Sequence, residues 1–417
     1  MSDQPPASGT KLNPHHVYHV YHDDEHDAQH LERLLAEHPD PVDVMRLLDP
    51  TALDEPRLLQ VFGREAVWMT EGDKLRLRRQ GLKFMDLTDY QRDLHPDTTA
   101  LTSKLATPQA AQTQWPELRY HDRVRDVITQ LSVEYMREKL SVFSAFYNRY
   151  FVSPHGVRSS RWLYDQLLQI IAAAPPTVRL SLETFTHSFP QPSLIARFEP
   201  THGRVSPNAH IAQPPIIIGA HLDSANYDLP LLPAPGADDD GSGAIALLDV
   251  FRVLVEAGFT PERAVELHWY AAEEAGLLGS LQVAEEYRRQ GRRVGAMFQL
   301  DALGYVGPNG TPTLTFITSD VDAALTNWTI ALAAEYASPT VQIQSVALPP
   351  GEGSDHMPWG RLGVPVAAAT EEHPHRANPY HHTADDRMDV EGFSFEFIRE
   401  FAKVAVGFAV ELGGWAE

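Results

Sequence analysis

The sequence contains no cysteine, so the chain can form neither disulfide bonds nor thiolate–metal bonds. Any metal ion that it binds must therefore be held by histidine, aspartate and glutamate side chains. Nitrogen and oxygen donors of this kind suit zinc, and a carboxylate can also bridge two ions.

The sequence also lacks long apolar runs and an excess of basic charge. No segment approaches the roughly 18 uninterrupted apolar residues of a membrane span, and the start, MSDQPPASGTKLNPHH, lacks the apolar core of a secretory signal. The 34 basic residues are outnumbered by 56 acidic ones, which disfavours nucleic acid as a partner because phosphate binding needs clustered lysine and arginine. We therefore expect a monomeric cytoplasmic protein with no membrane or nucleic-acid partner. Secretion is the alternative, since many exported proteins also lack cysteine.

The chain is long for one domain, and its 417 residues predict one large domain with a smaller segment. Residues 1–40 begin with a polar, histidine-rich stretch and predict a flexible tail, with metal scavenging as the alternative role. Residues 41–115 predict a small, mainly helical N-terminal segment that ends in a proline-rich linker. Within it, residues 68–88 predict a helix closed by Gly81 and then an extended piece. Residues 116–417 form the predicted main domain.

Strand-like and helix-like patterns alternate along the main domain. Strands are predicted over 216–220, 265–271, 296–302, 313–318 and 364–370. Helices are predicted over 121–140, 158–173, 242–257, 277–290, 321–337 and 390–412. This alternation predicts an α/β fold with a central mixed, largely parallel sheet that is covered by helices on both faces.

Five short acidic or histidine motifs are the most informative feature of this domain. They are GAHLDS (219–224), PGADDDGSG (235–243), YAAEEAGLLGS (270–280), QLDALGY (299–305) and NPYHHTADD (378–386). They supply two imidazoles and three carboxylates, on His221, Asp239, Glu274, Asp301 and His382. Four of the motifs follow predicted strands, and ligands gather at the carboxyl edge of such sheets. The pattern therefore indicates a ligand-binding site at the carboxyl edge of the predicted sheet.

Each motif taken alone has a plain structural interpretation. A lone histidine such as His221 is commonly structural, three adjacent aspartates are commonly a turn or a helix cap, and paired glutamates are common on surfaces. Asp301 differs, because an unpaired carboxylate in a buried strand is costly without a cation. Together, the five signals at strand ends indicate a two-metal hydrolase.

Two further carboxylates have roles that the spacing suggests. Glu273 stands beside Glu274 and points in a different direction, so it is available as a proton carrier. Asp223 follows His221 at a spacing that lets its carboxylate contact the far ring nitrogen and fix the tautomer.

The region 116–417 resembles the zinc aminopeptidases of metallopeptidase family 28, of the bacterial and fungal leucyl type. The resemblance rests on the five motifs, on FSAFYNRYFVSPHGVRSSRWLYDQL (143–167) and on GSDHMPW (353–359). It implies two zinc ions, with His221 and Glu274 on different ions and Asp239 bridging them. Asp301 and His382 would complete the pair. The resemblance also implies that Glu273 is the catalytic base and that Asp223 supports His221. It further implies that the peptide bond between Asp239 and Asp240 is cis.

The N-terminal segment is similar to the propeptides of this group, through WMTEGDKLRLRRQGLKFMDLTDY (68–90). The resemblance implies that the segment assists folding or blocks the cleft until it is removed.

We expect a dizinc aminopeptidase that removes a first residue, leucine or another hydrophobic one, from peptides with a free N-terminus. Three rivals remain open on the sequence. One is a glutaminyl cyclase-like transferase with a single zinc, and another is a non-catalytic, receptor-type member of the fold. The third is a carboxypeptidase-like or aminoacylase enzyme with the same metal pair.

Overall fold

The computed structural model describes residues 25–48, 53–92, 114–200, 213–307, 310–371 and 377–416. No helix in these ranges is long and apolar enough to cross a membrane. Residues 1–24 of the predicted tail and residues 93–113 of the predicted linker lie outside the described residues.

The described residues between 25 and 92 form four helices and a small antiparallel sheet. The elements are α1 (Glu25–Glu37), α2 (Pro41–Leu48), β1 (Pro56–Val61), β2 (Val67–Thr70), α3 (Glu71–Arg79), β3 (Phe84–Asp86) and α4 (Thr88–Arg92). The three strands pair in the order β2-β1-β3. The helices agree with the predicted character of the segment, whereas its sheet was not predicted.

Helix α1 occupies residues that were predicted to belong to a flexible tail. Leu31, Leu34 and Leu35 share one helical face and pack against the main hydrophobic core. Burial of such an apolar face stabilises a helix that would be marginal alone. The flexible-tail prediction therefore does not hold for residues 25–37.

The limits of α3 follow from local hydrogen bonding. The Thr70 hydroxyl accepts a bond from Asp73 N (3.1 Å), and the Asp73 carboxylate accepts one from Thr70 N (2.9 Å), which forms a capping box. The helix ends before Gly81, whose φ is +69°, so the predicted end is confirmed. The predicted start at residue 68 is wrong, because Val67–Thr70 pairs with β1 as a strand.

The main domain is built on an eight-stranded sheet. Its strands are β4 (Leu180–Phe185), β5 (Ser193–Phe198), β6 (Ile216–His221), β7 (Val265–Tyr270), β8 (Ala296–Leu300), β9 (Thr313–Ile317), β10 (Gln342–Val346) and β11 (Val366–Thr370). They are ordered β10-β9-β11-β8-β6-β7-β5-β4. The central strands β11, β8, β6 and β7 are parallel, whereas β4, β5 and the β9–β11 pair introduce antiparallel neighbours. The predicted mixed, largely parallel sheet is confirmed.

Helices cover both faces of this sheet. They are α5 (His121–Ile128), α6 (Val133–Phe143), α7 (Pro154–Ala172), α8 (Gly241–Glu256), α9 (Leu278–Arg289), α10 (Ala323–Tyr336), α11 (His356–Arg361) and α12 (Phe395–Gly413). Alternate residues of β6 face opposite sides, as a strand requires. Ile216 and Ile218 pack in the core with α8 and α12, while Ile217 packs with Tyr287 of α9 and Trp359 of α11.

The single helix predicted over 121–140 is wrong, because two helices occupy this region. Ser132 separates them and begins α6, since its hydroxyl accepts a hydrogen bond from Tyr135 N (3.1 Å). Its own N–H donates to the Asp249 carboxylate of α8 (2.9 Å). A capping serine between two apolar faces explains the break.

Candidate metal centre

The carboxyl ends of β6, β7, β8 and β11 lie at one edge of the sheet and bring the predicted site residues together. His221 is the last residue of β6, Glu273–Glu274 follow β7, and Asp301 directly follows β8. Asp239 stands just before α8, and His382 lies in the segment after β11. Residues about 160 positions apart thus converge, as parallel topology predicts.

Asp239 lies between two pairs that each combine a histidine with a carboxylate. Its Oδ1 is 2.9 Å from His221 Nε2, which lies 3.5 Å from Asp301 Oδ1. Its Oδ2 is 2.8 Å from His382 Nε2, which lies 3.6 Å from Glu274 Oε2. We call His221, Asp301 and Asp239 Oδ1 the His221 half-site, and His382, Glu274 and Asp239 Oδ2 the His382 half-site.

Each half-site fits a zinc ion. Zinc bonds to nitrogen and oxygen are about 2.0–2.1 Å long, so neighbouring donors around a tetrahedral ion lie roughly 3.3 Å apart. The separations above bracket that value. Each half-site also supplies three protein donors, the number that leaves one position of a catalytic zinc open to water or substrate.

A buried oxygen atom of the His382 half-site also fits a nearby cation. Glu274 Oε1 is buried and has no hydrogen-bond partner among the described residues. A buried carboxylate oxygen without a donor is costly, and a nearby cation would offset that cost. The residues present therefore fit a metal pair in chemistry as well as in spacing.

Comparison with known proteins assigns the family. The family model described as Peptidase family M28 matches residues 201–407. Leucine aminopeptidase 1 of Coccidioides posadasii (strain C735) is 35% identical over 376 residues, which cover 86% of this chain and 90% of that protein. The chain belongs to peptidase family M28. The predicted resemblance and the predicted class, a zinc metallo-exopeptidase, are confirmed.

Solved structures support the same fold. The LapA aminopeptidase of Legionella pneumophila is similar with a TM-score of 0.72 and 26% identity, over 88% of this chain and 96% of that one. A glutaminyl cyclase from Bacteroides thetaiotaomicron, solved with N-acetylhistamine, is also similar, with a TM-score of 0.51 over 67% of this chain and 97% of that one. At 17% identity, this second likeness shows a shared fold alone.

In this M28 chain, Asp240 supports the centre through the backbone. The Asp239–Asp240 peptide bond is cis, as the resemblance implied. Asp240 also lies near His221 and Asp301, but its carboxylate accepts hydrogen bonds from the N–H groups of His221 (3.0 Å), Gly243 (2.8 Å) and Ala302 (3.2 Å). With those bonds made, Asp239 is the better donor for an ion, and Asp240 anchors β6, α8 and the end of β8 to one another.

Asp223 connects the histidine and the glutamate pair. Its Oδ1 lies 3.4 Å from His221 Nδ1, the contact that the spacing predicted. Its carboxylate also accepts hydrogen bonds from the N–H groups of Glu273 (3.0 Å) and Glu274 (3.2 Å). These two bonds were not predicted, and they fix the β7 loop relative to β6.

Glu273 has the environment of a general base. Burial raises the pKa of its carboxyl group to about 8, although the Lys83 ammonium opposes this rise. Burial likewise raises the pKa of Glu274 to about 8, and a cation bound in the centre would lower both values. Burial lowers the pKa of His382 to about 4, so this imidazole is neutral at pH 7, as a metal ligand must be.

The neighbouring His381 turns towards a separate group of acidic residues. Its Nε2 is 3.2 Å from Asp238 Oδ2 and 3.8 Å from Glu371 Oε1. These carboxylates already accept hydrogen bonds from the N–H groups of Gly304 (2.7 Å) and Tyr305 (2.7 Å). The group therefore ties together the loops after β8 and β11, and the choice of His382 over His381 as the ligand agrees with this geometry.

Three residues that the sequence analysis did not single out lie at the centre. Lys83 Nζ is 3.2 Å from Glu273 Oε1, the Ser354 hydroxyl donates to Asp301 Oδ2, and Tyr227 contacts the His382 half-site. Ser354 stood in the GSDHMPW motif, which was a usable signal. Lys83 lies in the propeptide-like stretch 68–90, which did not single it out, and Tyr227 lies in a loop without a motif, so the fold was needed to reveal both contacts.

Proposed function

We propose that the protein is a dizinc aminopeptidase. The observation that carries the proposal is the position of Asp239, whose two carboxylate oxygens each face a different histidine–carboxylate pair. His221, Asp301 and Asp239 would hold one ion, and Asp239, Glu274 and His382 the other. A zinc pair bound here would supply a water of lowered pKa and would polarise the carbonyl group of the scissile bond.

Glu273 would move the proton. Its Oε2 is buried and lacks a hydrogen-bond partner among the described residues, so it can accept a proton from water. The same carboxyl group would later donate that proton to the departing amine. The Asp223 carboxylate accepts hydrogen bonds from the backbone N–H groups of Glu273 and Glu274, and these bonds hold the loop that carries both side chains in position.

The proposed substrates are peptides with a free N-terminus and a hydrophobic first residue. Curated relatives are named leucine aminopeptidase 1, which supports leucine as that residue. Each half-site leaves one position of its ion open, and the free α-amine of the substrate would bind beside one of the two ions as a nitrogen donor. An internal peptide bond offers no such amine, which accounts for exopeptidase action.

We also propose that residues 41–115 act like a propeptide and cover the centre. Lys83 Nζ contacts the Glu273 carboxylate at 3.2 Å, and Arg78 Nε donates to the carbonyl oxygen of Glu274 at 2.7 Å. The N–H of Asp86 donates to the carbonyl oxygen of Gly276 at 3.0 Å. With the segment in place, Glu273 is only 2% exposed, so a peptide needs the segment to move before it can reach the base.

The experiment that tests the main proposal is a substrate panel combined with metal analysis. The full chain, before and after limited proteolysis of the N-terminal segment, would be given leucine p-nitroanilide, N-acetyl-leucine and a peptide with N-terminal glutamine. We expect two zinc ions per chain, hydrolysis of the free-amine anilide and no pyroglutamate formation. Preference for the N-acetyl substrate, or cyclisation with a single bound ion, would overturn the proposal in favour of an aminoacylase or a glutaminyl cyclase.

A further inference from the structure

Tyr227 lies in the loop between β6 and α8, between His221 and Asp239 in sequence. Hydrogen bonds inside the loop hold it in place. Asn226 Nδ2 donates to the carbonyl oxygen of Pro233 at 2.9 Å, and the N–H of Asp228 donates to Asn226 Oδ1 at 3.0 Å. The backbone on both sides of Tyr227 is therefore fixed by its neighbours, and the ring is presented in a defined direction.

The Tyr227 side chain contacts both of the residues that belong to the His382 half-site alone. Its ring stacks on the His382 imidazole, with ring centroids 3.7 Å apart and planes 2° from parallel. Its hydroxyl donates to Glu274 Oε2 at 2.7 Å. That bond fixes the plane of the carboxylate, whose Oε2 lies 3.6 Å from His382 Nε2.

The backbone of Tyr227 adds a third contact. His382 has a φ of +59°, in the left-handed region that side chains other than glycine rarely adopt. Such a conformation is strained and persists only where the surroundings hold it. The N–H of Tyr227 donates to the carbonyl oxygen of His382 at 2.9 Å, so one residue holds both the ring and the backbone of this histidine.

The His221 half-site is held by other residues. Asp223 contacts the His221 ring, and Ser354 donates to Asp301. Asp223 also accepts the N–H of Glu274, whereas the hydrogen bonds and the ring contact of Tyr227 reach His382 and Glu274, so a change at Tyr227 would act on the His382 half-site.

We propose that Tyr227 is a positioning residue that sets the affinity of the His382 half-site for its metal ion. This inference rests on the proposed two-metal function. The hydroxyl bond orients Glu274, and the stacked ring with the backbone bond orients His382. Partners of metal ligands typically contribute about 10–100-fold in metal affinity, so loss of Tyr227 would make occupation of the two half-sites unequal.

The test uses the full chain, stripped of metal and titrated with Zn²⁺ or Co²⁺ against a chromophoric chelator. Tyr227→Phe removes the hydroxyl and keeps the ring, and Tyr227→Leu removes both. We expect Tyr227→Phe to weaken one of the two binding steps about 10–100-fold, Tyr227→Leu to weaken the same step further, and the other step to keep its affinity. Tyr336→Phe is the matched control, because the Tyr336 hydroxyl donates to the Glu411 carboxylate at 2.6 Å, away from the centre.

The outcomes separate the two proposals. If the unmodified chain binds fewer than two ions, the two-metal function fails, and the role of Tyr227 fails with it. If the unmodified chain binds two ions but Tyr227→Phe weakens neither step or both steps equally, the function stands and the role of Tyr227 is overturned. An effect of Tyr336→Phe as large as that of Tyr227→Phe would also overturn it, because a general loss of packing would then explain both.

Discussion

In the proposed function, metal binding and proton transfer are divided between single side chains of this centre. Glu273 and Glu274 are adjacent in sequence, yet Glu274 faces the His382 imidazole whereas Glu273 faces Lys83. The Asp223 carboxylate accepts hydrogen bonds from the backbone N–H groups of both glutamates. The geometry therefore predicts that replacement of Glu274 would weaken metal binding, whereas replacement of Glu273 would impair proton transfer.

Glu273→Gln is expected to abolish turnover and leave two zinc ions bound. The amide has nearly the same shape as the carboxylate but cannot accept the proton, and loss of a general base typically lowers the rate about 10²–10⁴-fold. Turnover on leucine p-nitroanilide and zinc per chain would be measured together, with the exposed Glu138→Gln as control. Retained activity would remove Glu273 as the base.

His382→Ala is expected to weaken metal binding more than His381→Ala. The first removes a donor that lies 2.8 Å from Asp239, whereas the second removes a contact to Asp238 outside both half-sites. We expect the His381 variant to lose at most about 10–100-fold in affinity, as for a supporting residue, and the His382 variant to lose more. Equal losses in a zinc titration would reverse the choice of ligand.

The sequence identified the residues that converge but not all of the residues that support them. The predicted ligand set could be read because four of the five motifs follow a buried strand, and parallel topology places strand ends together. The contacts of Tyr227 and Lys83 depend on loop paths between elements, which leave no periodic pattern in the sequence. Asp239 and Asp240 could be told apart only through the family resemblance and then through the N–H groups that Asp240 binds.

At the scale of elements, burial on both faces decided which strands could be predicted. All five predicted strands are present, and each was recognised as an apolar run. β4 and β10 lie at the two ends of the sheet, where exposed polar residues interrupt the apolar pattern. The sequence of β5 contains Arg197, which pairs with the buried Glu266 of β7 and conceals an otherwise apolar strand.

The loop before β3 carries Lys83, whose contact with Glu273 is proposed to block the base. Lys83→Met is expected to raise turnover of the full chain, because it keeps the aliphatic stem and removes the charge that pairs with Glu273. A hydrogen bond to a charged group contributes about 1.5–3 kcal/mol, so its loss would open the centre in roughly 10–100-fold more molecules.

The control for this variant is Arg46→Met in the same segment, where the exposed Arg46 pairs with Asp54. It should leave turnover unchanged. If Lys83→Met has the turnover of the unmodified chain, or less, then Lys83 does not inhibit the enzyme.

At the scale of the whole molecule, the N-terminal segment and the M28 domain share a hydrophobic cluster. Leu58, Phe62 and Met85 of the segment pack with Leu277 and Leu281 beside the glutamate pair. This cluster buries apolar surface on both sides and lies next to the centre. Removal of the segment therefore has two opposite effects, since it uncovers the base and also exposes apolar side chains.

Deletion of residues 1–115 is expected either to raise turnover or to prevent folding. Turnover on leucine p-nitroanilide and thermal unfolding would be compared with those of the full chain. A shortened chain with unchanged stability and unchanged turnover would contradict the propeptide-like role of the segment.

The position of Asp223 has a consequence for how mutations would remove the proposed activity. One carboxylate holds a metal-binding ring and also the backbone of the proton carrier, so a substitution there damages both tasks in a single step. Replacement of Glu273 is therefore expected to stop proton transfer while both ions stay bound, whereas replacement of Asp223 is expected to impair ion binding as well.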